Sequence, residues 1–471
     1  MKKDKKMIYT LAAIFMIIFT LLIGYLIYFT IFKKKEMSIH PYNNRLDHLE
    51  SEVIRGDIYD SKLTLLATTD EDGNRVYPYD NLYAHIVGYS QKGKTGVEAL
   101  ANSELLYPDY SLFSILRMAF KNEKFDGRDV VLTVDHNYQS AIAEAMSSKK
   151  GGIVVIEATT GKIKAMYSSP NFNPNEIEAN WISLNSDEEN SPLLNRATKG
   201  LYPPGSIFKV VTTLAYMRQN KGLDFTYNCT GSISGDNYTL KCFNGIAHGE
   251  VGLNKAFEKS CNSYFVALGE NLPNGALRSA AEAVRFNGPL DVNFGYSVSQ
   301  LSLTDSDTAF EKAATAIGQG RTLTTPLHMA ILAAAIANDG VSMQPYLIEY
   351  TKKHQNNQIK TGHIKERHMP KIGEALMTEA EAYKLQELME GVLDRGTAVS
   401  LPEKGLIVGG KTGTAQNETE ADHSWFMGYA KDPGDESKAP IAFAVVVEGG
   451  GKGSQALSVS NSILEAYRKS K

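Results

Sequence analysis

The sequence predicts an α+β protein whose large domain opens on a β-hairpin, continues through helices and returns to strands, with a last helix lying on the later strands. Three observations lead there. At Gly151-Gly152 a polar, mixed pattern gives way to Ile153-Val154-Val155-Ile156, a Thr159-Thr160-Gly161 turn and Lys162 to Tyr167, the pattern of a β-hairpin. From Ser206 to about Asn338 apolar residues recur at helical spacing, broken by polar loops near Asn228 to Gly249 and Phe286 to Asp307. Strand patterns return from about 406 to 448, and Ala456 to Tyr467 is apolar at helical spacing and is expected to lie on that sheet.

In chain order, residues 1–6 are lysine-rich and are expected to form a cytoplasmic tail. Residues 7–32 carry no charge and reach about 39 Å as a helix, enough to span a bilayer. Lys33-Lys34-Lys35 follows without a small-residue cleavage site, which favours a retained anchor over a cleaved signal peptide. Lysines flank both ends of this run, and their count slightly favours an amino terminus inside the cell and a single-pass protein whose bulk is extracytoplasmic. Residues 33–150 read as a small, mixed, pedestal-like module with strand-like runs such as Val130 to Val134, and 151–471 as the large domain. The net charge of −4 over 471 residues offers no basic excess for nucleic acid.

Three cysteines occur. Cys229 and Cys242 share a polar, Gly-rich loop and are placed either to be bridged in an oxidising compartment or to remain free thiols. Cys261 has no obvious partner and reads as a small packing residue. No His/Cys cluster with metal spacing is evident, so neither a metal nor a cofactor is expected.

The chemistry is carried by three short motifs in one order: Ser206-Ile207-Phe208-Lys209, Ser260-Cys261-Asn262 and Lys411-Thr412-Gly413. Decoys show how weak each is alone, because Ser147-Ser148-Lys149-Lys150 also reads SxxK, Ser183-Leu184-Asn185 reads SxN, and Lys94-Thr95-Gly96 and Lys360-Thr361-Gly362 repeat KTG. Context selects among them. Ser206 follows the stiff turn Tyr202-Pro203-Pro204-Gly205 and opens an apolar helical segment, so Lys209 returns to the same face one turn on. Lys411 follows Leu406 to Gly410 and precedes the strand patterns Trp425 to Tyr429 and Ile441 to Val447, whereas Lys360-Thr361-Gly362 lies among polar residues and reads as a solvated turn.

A serine hydroxyl needs a base, and Lys209 can serve only as a neutral amine, which burial and the charge of Lys411 both favour. Ser260 is expected to relay a proton to the departing amine and the Asn262 amide to hold the substrate backbone. Taken in isolation, Ser260 and Asn262 would instead read as helix caps. The backbone N–H groups of Ser206 and Thr414 are expected to form an oxyanion hole, with Lys411, Thr412, Gly413 and Thr414 lining the site for a substrate carboxylate. A rival reading comes from Gly88-Tyr89-Ser90-Gln91-Lys92-Gly93-Lys94-Thr95, which matches the phosphate-binding pattern GxxxxGK[ST], with Val131 to Asp135 imitating a Walker B strand. Such an ATPase would need a βαβ sheet that residues 33–150 hardly accommodate, and ATP outside the cytoplasm.

On its three motifs the chain resembles the class B penicillin-binding proteins, membrane-anchored peptidoglycan D,D-transpeptidases of the bacterial cell membrane. Further likenesses are Arg55-Gly56-Asp57-Ile58-Tyr59-Asp60, residues 85 to 98 including Gly96-Val97-Glu98, Gly127 to Asp135, Gly318-Gln319-Gly320 and Thr325-Pro326. The resemblance implies an α/β/α sandwich of the serine β-lactamase/transpeptidase type with a central antiparallel sheet. It also implies acylation of Ser206 by a stem peptide ending in D-Ala-D-Ala, cross-linking to a neighbouring stem, and covalent inhibition by β-lactams. A membrane glycan polymerase of the SEDS family would be the partner. The short amino-terminal module, Lys62-Leu63 where relatives often have Asn-Gly, and Cys261 in the middle of SxN depart from the pattern. A D,D-carboxypeptidase or a β-lactamase would share the motifs, although no glutamate motif for activating water is evident downstream of Ser260.

Overall fold

The computed structural model describes residues 2–28, 53–108, 110, 124–219, 222–235, 237–304, 306–354, 364–402, 404–416, 421–451 and 453–470. The end of the expected anchor, 29–32, and the Lys360-Thr361-Gly362 decoy lie outside them. Helix α1 (Lys2–Tyr28) carries the apolar run, with Phe15, Met16, Phe19 and Leu21 exposed. Counted over the described residues alone, no helix is long and apolar enough to cross a membrane.

In the amino-terminal module, strands β1 (Ile58–Tyr59), β2 (Leu65–Thr69), β3 (Arg75–Val76) and β4 (Arg128–Leu132) belong to one six-stranded sheet. Its other two strands, Ile348–Lys353 and Ile364–Arg367, come from far later in the chain, and the former pairs antiparallel with β4. The sheet therefore crosses the boundary expected near residue 150. Buried Glu98 ties the module together, accepting from both Arg55 and Arg75. The P-loop imitation fails on its surroundings. Gly88 follows a helical turn, Ala84–Val87, where a phosphate loop would follow a strand, and Thr95 precedes only the five-residue helix Gly96–Leu100.

Helix α2 (His136–Ala145), capped by the Asp135 side chain, leads into the central sheet. Its strands are β5 (Gly151–Glu157), β6 (Ile163–Ser169), β7 (Ile407–Ala415), β8 (His423–Lys431) and β9 (Ile441–Val447), in the order β7-β8-β9-β5-β6 and antiparallel throughout. Every residue of β9 is buried, which is why Ile441 to Val447 is a continuous apolar run rather than an alternating one. The covering layers are helical. Helix α5 (Pro326–Ala337), buried on all sides and capped by Thr325, packs on β5 and β9. Helix α7 (Ser454–Lys469) packs on β8 and β9 and against α2, while α6 (Glu379–Asp394) lies along β7. The turn Gly205–Phe208 packs on β7 and runs into α3 (Lys209–Met217), against which α4 (Asn262–Asn271) packs. The polar loop expected near 228–249 is more ordered than its composition suggests. It forms two short antiparallel pairs, Tyr227–Cys229 with Gly249–Val251 and Ser232–Gly235 with Tyr238–Lys241.

Candidate active site

Ser206 is half-buried in a 3₁₀ turn, Gly205–Phe208, that runs directly into α3. Two restraints place this turn. Tyr202 and Thr324 exchange backbone hydrogen bonds of 2.9 and 2.8 Å, and Gly205 N–H donates to Gly318 O at 2.8 Å. Gly205 has φ +55°, and a Cβ there would lie 2.5 Å from Thr414 O, so only glycine lets the serine turn approach strand β7 this closely. Ile207 and Phe208 are fully buried and anchor the turn from below.

One turn beyond Ser206, the Lys209 side chain is completely buried. Its ammonium donates to Ser260 O at 2.8 Å, Ser260 Oγ at 3.1 Å and Asn262 Oδ1 at 2.7 Å. Burial pushes its pKa down to about 7, against a smaller opposing pull from Cys261 and Cys242. The helix-cap role open to Ser260 and Asn262 falls instead to Cys261, whose Sγ accepts from Tyr264 N–H at 3.5 Å at the start of α4. That frees both polar side chains for Lys209. Ser260 adopts a left-handed φ of +54°, a strained conformation for a serine that aims its carbonyl and hydroxyl at one amine. Asn262 is fixed from behind by its Nδ2, which donates to Lys241 O at 2.8 Å.

Lys411 comes from the edge strand β7, opposite Met427 in register, and is also fully buried. Its Nζ donates to Thr412 O at 3.2 Å. Its pKa is held well below the ordinary lysine value, first by burial and then by the charge of Lys209, which places the two amines in one electrostatic neighbourhood. Because β7 is an edge, alternate backbone N–H groups face away from the sheet, toward the serine turn. Gly413 is needed by packing: a Cβ would lie 3.0 Å from Trp425 Cβ and 3.1 Å from Ile207 Cγ2.

The structure thus brings the three motifs together and leaves Ser147 exposed behind α2. Some neighbours were not found from sequence. Thr397, just past α6, shares a 2.6 Å hydrogen bond with Thr412 Oγ1, and Gln319 Nε2 donates to Thr414 O at 3.4 Å. Gln319 had a signal in Gly318-Gln319-Gly320; Thr397 had none. Of the two alternatives open for Cys229 and Cys242 the structure shows free thiols, while the readings of Cys261 as partnerless and of no His/Cys cluster need correction. Cys229 and Cys242 are not bridged, their sulfurs lying 3.6 Å apart, and all three cysteines are free and buried. Cys261 is not isolated, since its Sγ lies 3.8 Å from that of Cys242. His248 Nδ1 lies 3.4 Å from Cys229 Sγ, so a His/Cys cluster does exist. Its members fall within residues 229–261 and gather when the two small β-pairs dock on α4.

A half-buried serine, a buried lysine of lowered pKa and a second buried lysine on a sheet edge define a serine acyltransferase site. The chain belongs to the penicillin-binding protein transpeptidase family: the penicillin binding protein transpeptidase domain matches residues 151–467, and the penicillin binding protein A dimerisation domain matches 55–130. Among its relatives is the peptidoglycan D,D-transpeptidase PbpA of Mycolicibacterium smegmatis, 31% identical over 93% of each chain. PbpA of Mycobacterium tuberculosis is 32% identical, again over 93% of each. In the solved penicillin-binding protein A from M. tuberculosis, an imipenem acyl-enzyme complex, 32% identity accompanies a TM-score of 0.78 over 90% of this chain and 100% of that one.

Proposed function

We propose that this protein is a peptidoglycan D,D-transpeptidase that works through an acyl-enzyme on Ser206 and is inhibited by β-lactams. The observation that carries this reading is Lys209, buried one turn after Ser206 and held by Ser260 and Asn262. Neutral Lys209 takes the Ser206 proton as Oγ attacks the carbonyl between the two terminal D-alanines. The C–N bond breaks, the proton reaches the departing D-alanine through Ser260, and the stem peptide remains as an ester on Ser206. Backbone N–H groups of Ser206 and Thr414 stabilise the developing oxyanion. An amine of a second stem then attacks the ester, forming the cross-link and returning the proton to Ser206. The substrate carboxylate favours the charged form of buried Lys411, which burial otherwise disfavours, with Thr412 and Thr414 as hydrogen-bond donors. A β-lactam enters the same path, but its leaving amine stays tethered in the opened ring and the ester persists. Supporting the reading are the D,D-transpeptidase names of relatives that match over nearly their whole length and the β-lactam acyl-enzyme of a structural neighbour.

The membrane placement belongs to the same proposal. The uncharged run 7–32, largely carried by α1 with its apolar side chains exposed, supports a single anchor with the catalytic domain outside the cytoplasm. A SEDS-family polymerase as membrane partner rests on the family resemblance. The test is an intact-mass time course of the detergent-solubilised chain with benzylpenicillin, beside Ser206→Ala. A long-lived adduct absent from the variant supports a penicillin-binding transpeptidase. Rapid return to free mass with drug hydrolysis would mean a β-lactamase, and no adduct a wrong site; in a parallel incubation with a stem peptide ending in D-Ala-D-Ala, D-alanine release without a cross-link would mean a carboxypeptidase.

A further inference from the structure

Beside the SxN turn, four side chains that the transpeptidase mechanism does not use converge from four places in the fold. Cys229 ends one short strand, Cys242 follows another, His248 precedes a third, and Cys261 opens α4. Their donor atoms, three Sγ and the His248 Nδ1, all lie within 4.8 Å of one another. A tetrahedral zinc ion with bonds of about 2.3 Å to sulfur and about 2.0 Å to nitrogen has edges of about 3.8 Å between sulfurs and about 3.5 Å between sulfur and nitrogen. The recorded edges are 3.6 and 3.8 Å for sulfur pairs and 3.4 Å for Cys229 with His248. Disulfide bonding requires about 2.05 Å and is absent from all three thiols. The second layer also suits a metal thiolate: Ser263 Oγ lies 3.4 Å from Cys242 Sγ, and Tyr264 N–H points at Cys261 Sγ.

We propose that Cys229, Cys242, His248 and Cys261 form a structural zinc site that fixes the Ser260-Cys261-Asn262 turn. Four protein ligands close the coordination sphere, and soft thiolates with one imidazole select zinc over hard cations. The three sulfurs are buried, with Cys261 wholly so, and His248 half-covers the outer side. The ion ties the small β-lobe at 227–251 to α4. Cys261 sits between the two residues that hold Lys209, so the metal acts on acylation by positioning Ser260 and Asn262 without touching substrate. Coordination would also protect three adjacent thiols from oxidation in an extracytoplasmic compartment.

The test uses the full chain in detergent, purified with reductant and without chelator. Elemental analysis is expected to find about one zinc per chain, falling at least tenfold in Cys242→Ser and His248→Ala. Because those variants could misfold, metal-stripped wild-type chain is also titrated with Co²⁺ alone, which should give the thiolate-to-cobalt charge-transfer absorption and intense visible bands of a tetrahedral thiolate site. Stripping should slow benzylpenicillin acylation about tenfold or more, with zinc restoring it. Failure of the stripped wild type to take up either metal, iron in place of zinc, or a wild-type mass two hydrogens short from a disulfide would overturn the site. Its fate is separable from that of the transpeptidase reading: zinc with no penicillin adduct sinks only the latter, and a normal adduct with no metal uptake sinks only the former.

Discussion

If Lys209 is the base for Ser206, the rate of penicillin acylation must follow the fraction of Lys209 that is neutral. Burial pushes its pKa down to about 7. The neutral fraction is then roughly one-tenth at pH 6, one-half at pH 7 and nine-tenths at pH 8, so the second-order rate constant should rise about tenfold from pH 6 to 8 and then level off. An unperturbed lysine, with a pKa near 10.4, would give a rise of about a hundredfold over the same interval and no plateau. The sign follows from the lowered pKa, because rising pH removes the proton that blocks catalysis. The same shift makes the unfolded chain the greater proton binder between about pH 7 and pH 10.5, so this group's contribution to stability improves with pH across that window. Stopped-flow acylation by a chromogenic cephalosporin, with the detergent-solubilised chain at constant ionic strength, reads the profile directly. Lys209→Arg, which stays protonated, should lose about 10³-fold at every pH. A log-linear climb through pH 9, or a flat profile that Lys209→Arg leaves intact, would refute Lys209 as the base.

Other perturbations test the scaffold. Gly318 has φ +74°, and a Cβ there would lie 2.1 Å from Gly205 O, so Gly318→Ala should displace the serine turn. Acylation should fall by about a hundredfold or more, with a thermal shift showing the fold retained but weakened. Glu448 accepts from buried Arg196 at 2.8 Å and from Tyr202 at 2.6 Å, joining the end of β9 to the segment before Ser206. Glu448→Gln removes the negative charge facing Arg196, whose guanidinium keeps its bonds to Ser191 O and Asn190 O, and should cost about 1.5–3 kcal/mol in denaturant unfolding, provided the transition is two-state. Ser147→Ala removes the decoy SxxK serine, an exposed residue past α2, and should leave penicillin labelling unchanged.

Much of the site was legible before any coordinates because its chemistry is written in local patterns. SxxK places its serine and lysine one helical turn apart, and the apolar spacing of Ile207, Phe208, Val210, Val211 and Leu214 buries that turn, as the structure bears out. The β5–β6 hairpin and the helix at 454–469 follow equally from short-range periodicity. Ser260 and Asn262 were harder, because capping and catalysis ask for the same residue types. The structure resolves that competition by giving the cap to Cys261.

By itself, then, the sequence determined the order of the three motifs, the apolar faces that bury them and the strands that flank them, since each depends on residues within a turn or a strand of one another. Only the tertiary structure decided what meets beyond a single turn or strand. It paired Ile348–Lys353 with β4 across the expected domain boundary, set Thr397 against Thr412, and drew Cys229, Cys242, His248 and Cys261 into one cluster. Such contacts leave no period in the sequence. They are fixed by which apolar faces pack together, so polar side chains carried on those faces become neighbours that no local spacing announces.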